Sequence, residues 1–132
     1  MDLTAKYPGA VTFKFGGSEW LCNDLAQRVI DGKKRATCGA MRDFQEGGEA
    51  LPVEGRCDIV FWWDDTPAAV IETRRVFYRK FKDMDEDFAL KEGENDDLAG
   101  WQRDHRAYFE RNGGWSEDMD LVCEEFEVVE VL

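Results

Sequence analysis

The stretch from residue 57 to residue 80 constrains the fold most, because it has the pattern of two consecutive strands. Residues 57–63 are an apolar run of strand length, and the Asp-Asp-Thr-Pro sequence at 64–67 has turn chemistry. Residues 69–80 then alternate between two faces, as a second strand does. The chain is therefore expected to build a β-sheet around this pair.

The rest of the chain adds further strands and helices. Ser18 is placed to cap the first helix and Gly32 to end it, while residues 43–55 are rich in glycine and acidic residues and predict a long loop. Further strands are expected over residues 11–15 and 119–131, and helices over 19–31, 85–92 and 97–111. Strands with helices inserted between them predict an α+β domain built on a small barrel.

The last strand carries a change of alternation. Its apolar positions are 119, 121 and 123 and then 126 and 128, with Glu124 and Glu125 at the shift. A β-bulge shifts the alternation in this way and bends strands at barrel corners. We therefore predict a bulge at Glu124–Glu125.

Length and composition exclude several classes of protein. The 132 residues fit one domain, and 43% hydrophobic content is sufficient for a core. No apolar run approaches the roughly 20 residues that cross a bilayer, and the N-terminus lacks signal-peptide features. The four cysteines form no CxxC pair, and one histidine leaves no zinc-site spacing. We predict reduced, mostly buried thiols, no metal or other cofactor, no membrane association and a cytoplasmic location.

The charge distribution is uneven. A net charge of −12 argues against broad electrostatic binding to a phosphate backbone. Two basic islands nevertheless stand out: residues 28–42 carry five basic side chains against one acid, and residues 73–82 carry five against none. The islands could meet around one cleft and create a local positive potential. The alternative is two solvated faces with no shared role.

A short motif follows the first predicted helix. Residues 32–37, Gly-Lys-Lys-Arg-Ala-Thr, have the form Gly-x-Lys-x-x-Thr. Further matches follow in order at residues 58–60, 70–73, 88–94, 101–109 and 123–126. This ordered set resembles the ASCH family over about residues 13–129. The resemblance implies that residues 1–132 are a single ASCH domain, a small PUA-like β-barrel with helices inserted around it, associated with RNA and modified nucleosides.

The resemblance also implies a catalytic site. In small bacterial members, the motif lysine and threonine and a later glutamate hydrolyse N4-acetylcytidine to cytidine and acetate, and the matching positions are Lys34, Thr37 and Glu92. The 43–55 loop and the 97–111 helix are features of a larger branch, to which RNA-binding and ribonuclease roles are also attributed. An amidohydrolase, an RNA-binding module and a ribonuclease therefore all stay open, as does the oligomeric state.

The chemistry of these three residues sets conditions on their geometry. Lys34 and Thr37 can share a site only if residues 34–37 are not a regular strand, since residues i and i+3 of a strand face opposite ways. Thr37 needs a base to act as a nucleophile, and Lys34 can be that base only if its pKa falls from about 10.4 toward 7. A direct contact with Glu92 would raise the pKa of Lys34, and then either Glu92 is protonated or Lys34 is a cationic oxyanion stabiliser.

A second set of residues is expected to bind the substrate. Guanidinium groups pair with phosphate and stack on bases, and aromatic side chains stack on unpaired bases. A core role for the tryptophans and the histidine is the alternative. The expected substrate-binding residues are Arg35, Trp62, Arg74, Trp101, His105 and Tyr108.

Overall fold

The computed structural model describes residues 2–45 and 47–132, and its architecture is mixed α+β. The helices are α1 (Leu3–Lys6), α2 (Glu19–Ile30), α3 (Glu86–Lys91) and α4 (Leu98–Arg111). The strands are β1 (Thr12–Phe13), β2 (Ala36–Ala40), β3 (Cys57–Phe61), β4 (Pro67–Lys80) and β5 (Asp120–Val131). Short 3-10 helices at Met41–Phe44 and Phe81–Asp83 follow β2 and β4. The predicted α+β class is confirmed.

The strands form one sheet in the order β1-β3-β4-β5-β2. The strands β3 and β4 are antiparallel neighbours, as their sequence pattern predicts. The predicted barrel is wrong, because β1 and β2 are the two edges of the sheet and do not pair within the described residues. The strand β1 is only two residues long and pairs with β3, so it offers little edge for β2, and the chain then passes through Gly16, with a positive φ of 71°, into α2.

The helix ends follow the capping signals in the sequence. The Ser18 hydroxyl accepts a hydrogen bond from the Leu21 N–H at 3.2 Å, and Gly32, with φ of 77°, follows the end of α2. The Asp97 carboxylate accepts from the Gly100 N–H at 2.8 Å and so caps α4. The predicted helices 19–31 and 97–111 are confirmed to within one residue at each end.

Two hydrophobic clusters lie on opposite faces of the sheet. The α4 cluster comprises Ala36, Ala40, Phe81, Met84, Phe88, Ala89, Trp101, Phe109, Leu121 and Cys123. The α2 cluster comprises Phe15, Leu25, Ala26, Val29, Val60, Ala68, Ile71 and Phe126. Because Leu121 and Cys123 differ in parity from Phe126, β5 contributes to the α4 cluster from one face and to the α2 cluster from the other.

This switch of face explains the change of alternation in the last strand. The bulge predicted at Glu124–Glu125 lies in the partner strand instead. Thr73 pairs with Phe126 and Arg75 pairs with Glu125, which leaves Arg74 of β4 as the extra residue. The odd positions of β5 pack in the α4 cluster before this point, and Phe126 packs in the α2 cluster after it.

Two predictions from composition can be compared with the fold. Across residues 2–45 and 47–132, no helix has the length and apolar character of a membrane span. The cysteines are unpaired thiols: Cys22 and Cys123 are buried, whereas Cys38 and Cys57 are half-buried. Burial of the thiols is therefore less complete than predicted.

Candidate active site

A cavity of about 720 Å³ lies between the two free edges of the sheet. Residues 11–16 line it from the β1 edge, and Lys34 and residues 37–39 line it from the β2 edge. Residues 92–95, which follow α3, and the α4 side chains His105 and Tyr108 complete this part of the wall. The cavity occupies the place where a closed barrel would have joined its edges.

The local backbone allows Lys34 and Thr37 to face the same cavity. The strand β2 begins at Ala36, so Thr37 lies on a strand while Lys34 lies in the irregular segment that follows α2. Both residues line the cavity. The prediction that this segment is not a continuous strand is confirmed.

Lys34 is a buried cation, with only 1% of its surface exposed. Its ammonium donates to the carbonyl oxygens of Ala36 at 3.0 Å and Glu92 at 3.3 Å, and to the Glu94 carboxylate at 2.9 Å. Burial alone would lower the pKa of Lys34, but the carboxylates of Glu92 and Glu94 outweigh it and raise the pKa. The condition for a lysine base is therefore not met in this arrangement, which favours the cationic oxyanion stabiliser.

Glu92 is equally buried and lies at the centre of a polar cluster. One carboxylate oxygen lies 3.7 Å from the Lys34 ammonium. The other accepts from the Trp101 indole N–H and lies 3.3 Å from Nε2 of His105. Burial alone would raise the pKa of Glu92, but the Lys34 charge and the hydrogen bonds from His105 and Trp101 outweigh it and lower the pKa. Glu92 is therefore an anion between two cation-forming groups.

The two ring nitrogens of His105 both face hydrogen-bond acceptors. Nδ1 lies 2.9 Å from the Trp101 carbonyl oxygen, which can only accept, and Nε2 faces the Glu92 carboxylate. Both nitrogens therefore carry protons in the favoured state. The ring also stacks on Trp101 at a centroid distance of 4.2 Å. Burial alone would lower the pKa of His105, but Glu92 outweighs it and raises the pKa.

His105 is the only histidine in the chain, so its ring protons can be followed alone by NMR. We expect its titration midpoint to lie above the ordinary value of about 6.5, because Glu92 stabilises the imidazolium. Its contribution to the free energy of unfolding is then fully present below about pH 6.5 and is lost as the pH rises through the raised pKa. In Glu92→Gln the midpoint should fall. A midpoint at or below 6.5 in the unmodified protein contradicts the assignment.

Comparison with known protein families agrees with the ordered motifs in the sequence. The sequence model of the family described as the ASCH domain matches residues 11–130, which is nearly the whole chain. The chain belongs to the ASCH domain family. Among curated proteins, none matches the chain significantly.

Two solved structures support this assignment at appreciable sequence identity. An ASCH domain from Lactobacillus crispatus is 35% identical, with a TM-score of 0.86, and the match covers 97% of this chain and 84% of that one. The protein EF3133 from Enterococcus faecalis is 32% identical, with a TM-score of 0.82 and coverage of 92% and 77%. A point variant of ZmASCH from Zymomonas mobilis is 10% identical, with a TM-score of 0.54 and coverage of 89% and 67%, and it supports the fold alone.

The cavity of this ASCH domain contains part of the predicted site. The three predicted catalytic residues, Lys34, Thr37 and Glu92, line it together, and so do His105 and Tyr108. Trp101 does not line the cavity but is completely buried in the α4 cluster, where its indole N–H holds Glu92. Trp101 is therefore a core residue, which was the alternative to substrate binding, and it supports the site through its hydrogen bond to Glu92.

Besides Trp101, three other predicted substrate-binding residues lie outside the cavity of the ASCH domain. Arg35 is exposed next to Lys34 but does not line the cavity. Trp62 packs against the α2 cluster. Arg74, the bulge residue, is 52% exposed at its side chain and pairs with Glu72 and Glu127. The alternating pattern of the strands could not reveal these positions, because the bulge and the burial of Trp62 depend on long-range packing.

The prediction that the two basic islands meet around the cavity is wrong. No residue of the 73–82 island lines the cavity, and Lys34 is the only basic residue of the 28–42 island that does, within the described part of the chain. Four basic and seven acidic side chains line the wall. The basic residues of the 73–82 island form ion pairs with acidic side chains instead, such as Arg79 with Asp85 at 2.8 Å.

Three side chains of the ASCH domain site have the chemistry of metal ligands. Donor atoms of Cys38, Glu92 and His105 lie within 4.8 Å of one another. However, burial and the Glu92 charge raise the pKa of the Cys38 thiol well above its ordinary value, and a metal ligand must be a thiolate. The Lys34 ammonium also lies beside Glu92. These donors fit a proton-sharing cluster better than a metal centre.

Sequence reasoning missed two acidic residues of the site. Glu94 forms the closest ion pair of Lys34, at 2.9 Å, and Glu124 lines the cavity beside Thr37. Glu94 lies inside the 88–94 motif and could have been found there. No local signal marks Glu124, because its place depends on the pairing of β2 with β5.

Proposed function

We propose that this ASCH domain hydrolyses the amide of an N4-acetylcytidine-like nucleoside. The observation that carries the proposal is the convergence of Lys34, Thr37 and Glu92 on one cavity. Lys34 and Glu92 are 58 positions apart in the chain, yet they are in direct contact. Nothing in local structure requires this contact, whereas an acyl-transfer site needs a nucleophile beside a group that stabilises the oxyanion, and a fixed positive charge can do this.

In this proposal Lys34 stabilises the negative charge that develops on the substrate carbonyl oxygen. Without substrate, the Lys34 ammonium donates three hydrogen bonds within the protein, one of them to the Glu94 carboxylate. The Glu94 side chain is 28% exposed, whereas that of Glu92 is 2% exposed. Glu94 can therefore give way to a substrate oxygen while Glu92 keeps Lys34 in position.

Thr37 acts as the nucleophile. Within the described residues its hydroxyl has no hydrogen-bond partner in the fold, and the side chain lines the cavity. Attack of Oγ1 on the acetyl carbon gives a tetrahedral oxyanion beside Lys34. The C–N bond then breaks, which releases cytidine, and water hydrolyses the acetyl ester on Thr37. Because Lys34 is a cation, another group must accept the Thr37 proton.

The charge of the cavity supports a free nucleoside over RNA as the substrate. Acidic side chains outnumber basic ones along the wall, and such a surface repels phosphate. His105 and Tyr108 offer a partly exposed aromatic wall against which a base can lie. The RNA-binding and ribonuclease alternatives therefore have less support.

The proposal is tested by incubating the protein with N4-acetylcytidine, its 5′-monophosphate and a short RNA that carries the same base, and by identifying the products by mass. We expect cytidine and acetate from the free nucleoside, and a rate at least about tenfold lower for the two phosphorylated compounds, since local potential changes encounter rates by this order. An intact nucleoside would contradict the hydrolase. Binding of the RNA without cleavage would favour the binding module.

A further inference from the structure

Glu124 lies directly opposite Thr37 in the pairing of β2 with β5. The N–H of Phe126 donates to the Arg35 carbonyl oxygen at 3.0 Å, so positions 35 and 126 form a hydrogen-bonded pair. Pair types alternate along an antiparallel ladder, and Thr37 and Glu124 are therefore also a hydrogen-bonded pair. Side chains of directly opposite residues share one face, with Cβ atoms about 5 Å apart. Both side chains line the cavity.

The hydrogen bonding of Glu124 leaves one carboxylate oxygen available. Oε2 accepts from the hydroxyl of the fully buried Thr73 at 2.5 Å. Among the described residues, no lysine, arginine or histidine pairs with Glu124, in contrast to Glu92 and Glu94, which both pair with Lys34. Thr73 therefore fixes the carboxylate from β4, while its other oxygen can accept a proton from the Thr37 side.

The charged groups around Glu124 suit a proton acceptor. Burial raises the pKa of Glu124, and the Asp58 carboxylate acts in the same direction. The Thr73 hydrogen bond and the charges of Arg56 and Lys34 lower it. The net result is a raised pKa. Arg56 is itself held by Asp58 through two contacts of 2.8 and 3.1 Å. A carboxylate with a raised pKa takes up a proton more readily near neutral pH.

We propose that Glu124 is the general base for Thr37, a catalytic residue in addition to Lys34 and Thr37. The proposal rests on the proposed amide hydrolysis. Glu124 removes the Thr37 hydroxyl proton as Oγ1 bonds to the acyl carbon, and it returns that proton to the leaving nitrogen as the C–N bond breaks. In the second half, Glu124 takes a proton from the attacking water, and the Thr37 oxygen recovers it as the acid leaves. One amide and one water thus give one acid and one amine.

The first test compares Glu124→Gln with Glu125→Gln. Gln keeps the acceptor for Thr73 but cannot take a proton, and Glu125 is the adjacent residue on the opposite face, paired with Arg75 and Lys91. We expect kcat on N4-acetylcytidine to fall about 10²–10⁴-fold in Glu124→Gln with KM little changed, and Glu125→Gln to behave as the unmodified protein. Thermal unfolding checks that both variants are folded.

The pH profile gives a readout that a structural role would not change. In the unmodified protein kcat/KM should fall on the acid side, through the raised pKa of Glu124, because a protonated carboxyl cannot accept the Thr37 proton. This limb should be absent from the residual activity of Glu124→Gln. Turnover in Glu124→Gln equal to that of the unmodified protein overturns the inference and leaves the hydrolase proposal intact.

A second probe tests the Glu124–Thr37 pair even if the nucleoside is not a substrate. Each protein is treated with p-nitrophenyl acetate, and the peptide that contains Thr37 is analysed for an added acetyl group. Faster acetylation of Thr37 in the unmodified protein and in Glu125→Gln than in Glu124→Gln supports the base. Equal acetylation in all three proteins, or acetylation of Thr37 in none of them, overturns it. Failure on the nucleoside alone counts only against the proposed function.

Discussion

Replacing Lys34 by methionine is expected to lower the free energy of unfolding by about 3–5 kcal/mol, the range for removing one partner of a buried ion pair. Methionine fills a similar volume but leaves the buried Glu92 carboxylate without the ammonium that lies 3.7 Å from it. Glu94 loses its ion pair as well. Urea unfolding followed by tryptophan fluorescence measures the change. The proposed hydrolase activity should be lost in the same variant, because the oxyanion loses its cation.

The adjacent Lys33 provides a matched control. Lys33 is exposed, so Lys33→Met should change the unfolding free energy by no more than about 0.5 kcal/mol. The loss in Lys34→Met should shrink as the pH falls, because Glu92 then takes up a proton and no longer needs the cation. A loss below about 1 kcal/mol, or one that does not depend on pH, would show that Lys34 and Glu92 are not a coupled pair.

The change Thr37→Val should separate activity from stability. Valine has nearly the shape of threonine, and no hydrogen bond of the Thr37 hydroxyl within the described residues is lost. The unfolding free energy should therefore change by less than about 1 kcal/mol. Amide hydrolysis should fall at least about 10³-fold, since the nucleophile is gone. Initial rates of cytidine release measure the effect.

Thr37→Ser is the control for this prediction, because it keeps a hydroxyl at the same position. Serine should retain activity within about two orders of magnitude, whereas Thr37→Val should not. If both variants are as active as the unmodified protein, Thr37 is not the nucleophile, and the cavity would have to act through an activated water.

Much of the local structure follows from sequence because its causes are local. Ser18 and Asp97 cap helices through their own side chains, and the run at 57–63 forms a strand as predicted, ending at Phe61. The closure of the sheet could not be predicted in this way. It depends on the length of β1, which is only two residues and ends at Phe13.

In the candidate site, too, the features with local causes follow from the sequence and those that depend on long-range contacts do not. The motif resemblance led to Lys34, Thr37 and Glu92, but the sequence did not reveal the charge state of Lys34. That state depends on Glu94, which lies 60 positions away in the chain and contacts Lys34 in the fold. The position of Arg74 outside the cavity could not be predicted for a related reason, because a basic run in a sequence does not show which acids face it across the sheet.

The most direct test of amide hydrolysis in this cavity is the reaction of N4-acetylcytidine in water labelled with heavy oxygen, with both products analysed by mass. We expect the purified protein to yield unlabelled cytidine and acetate that carries one labelled oxygen, and we expect Thr37→Val prepared in parallel to yield neither. Recovery of intact nucleoside from the unmodified protein, or equal product from Thr37→Val, would contradict the assignment of this cavity as an amidohydrolase site.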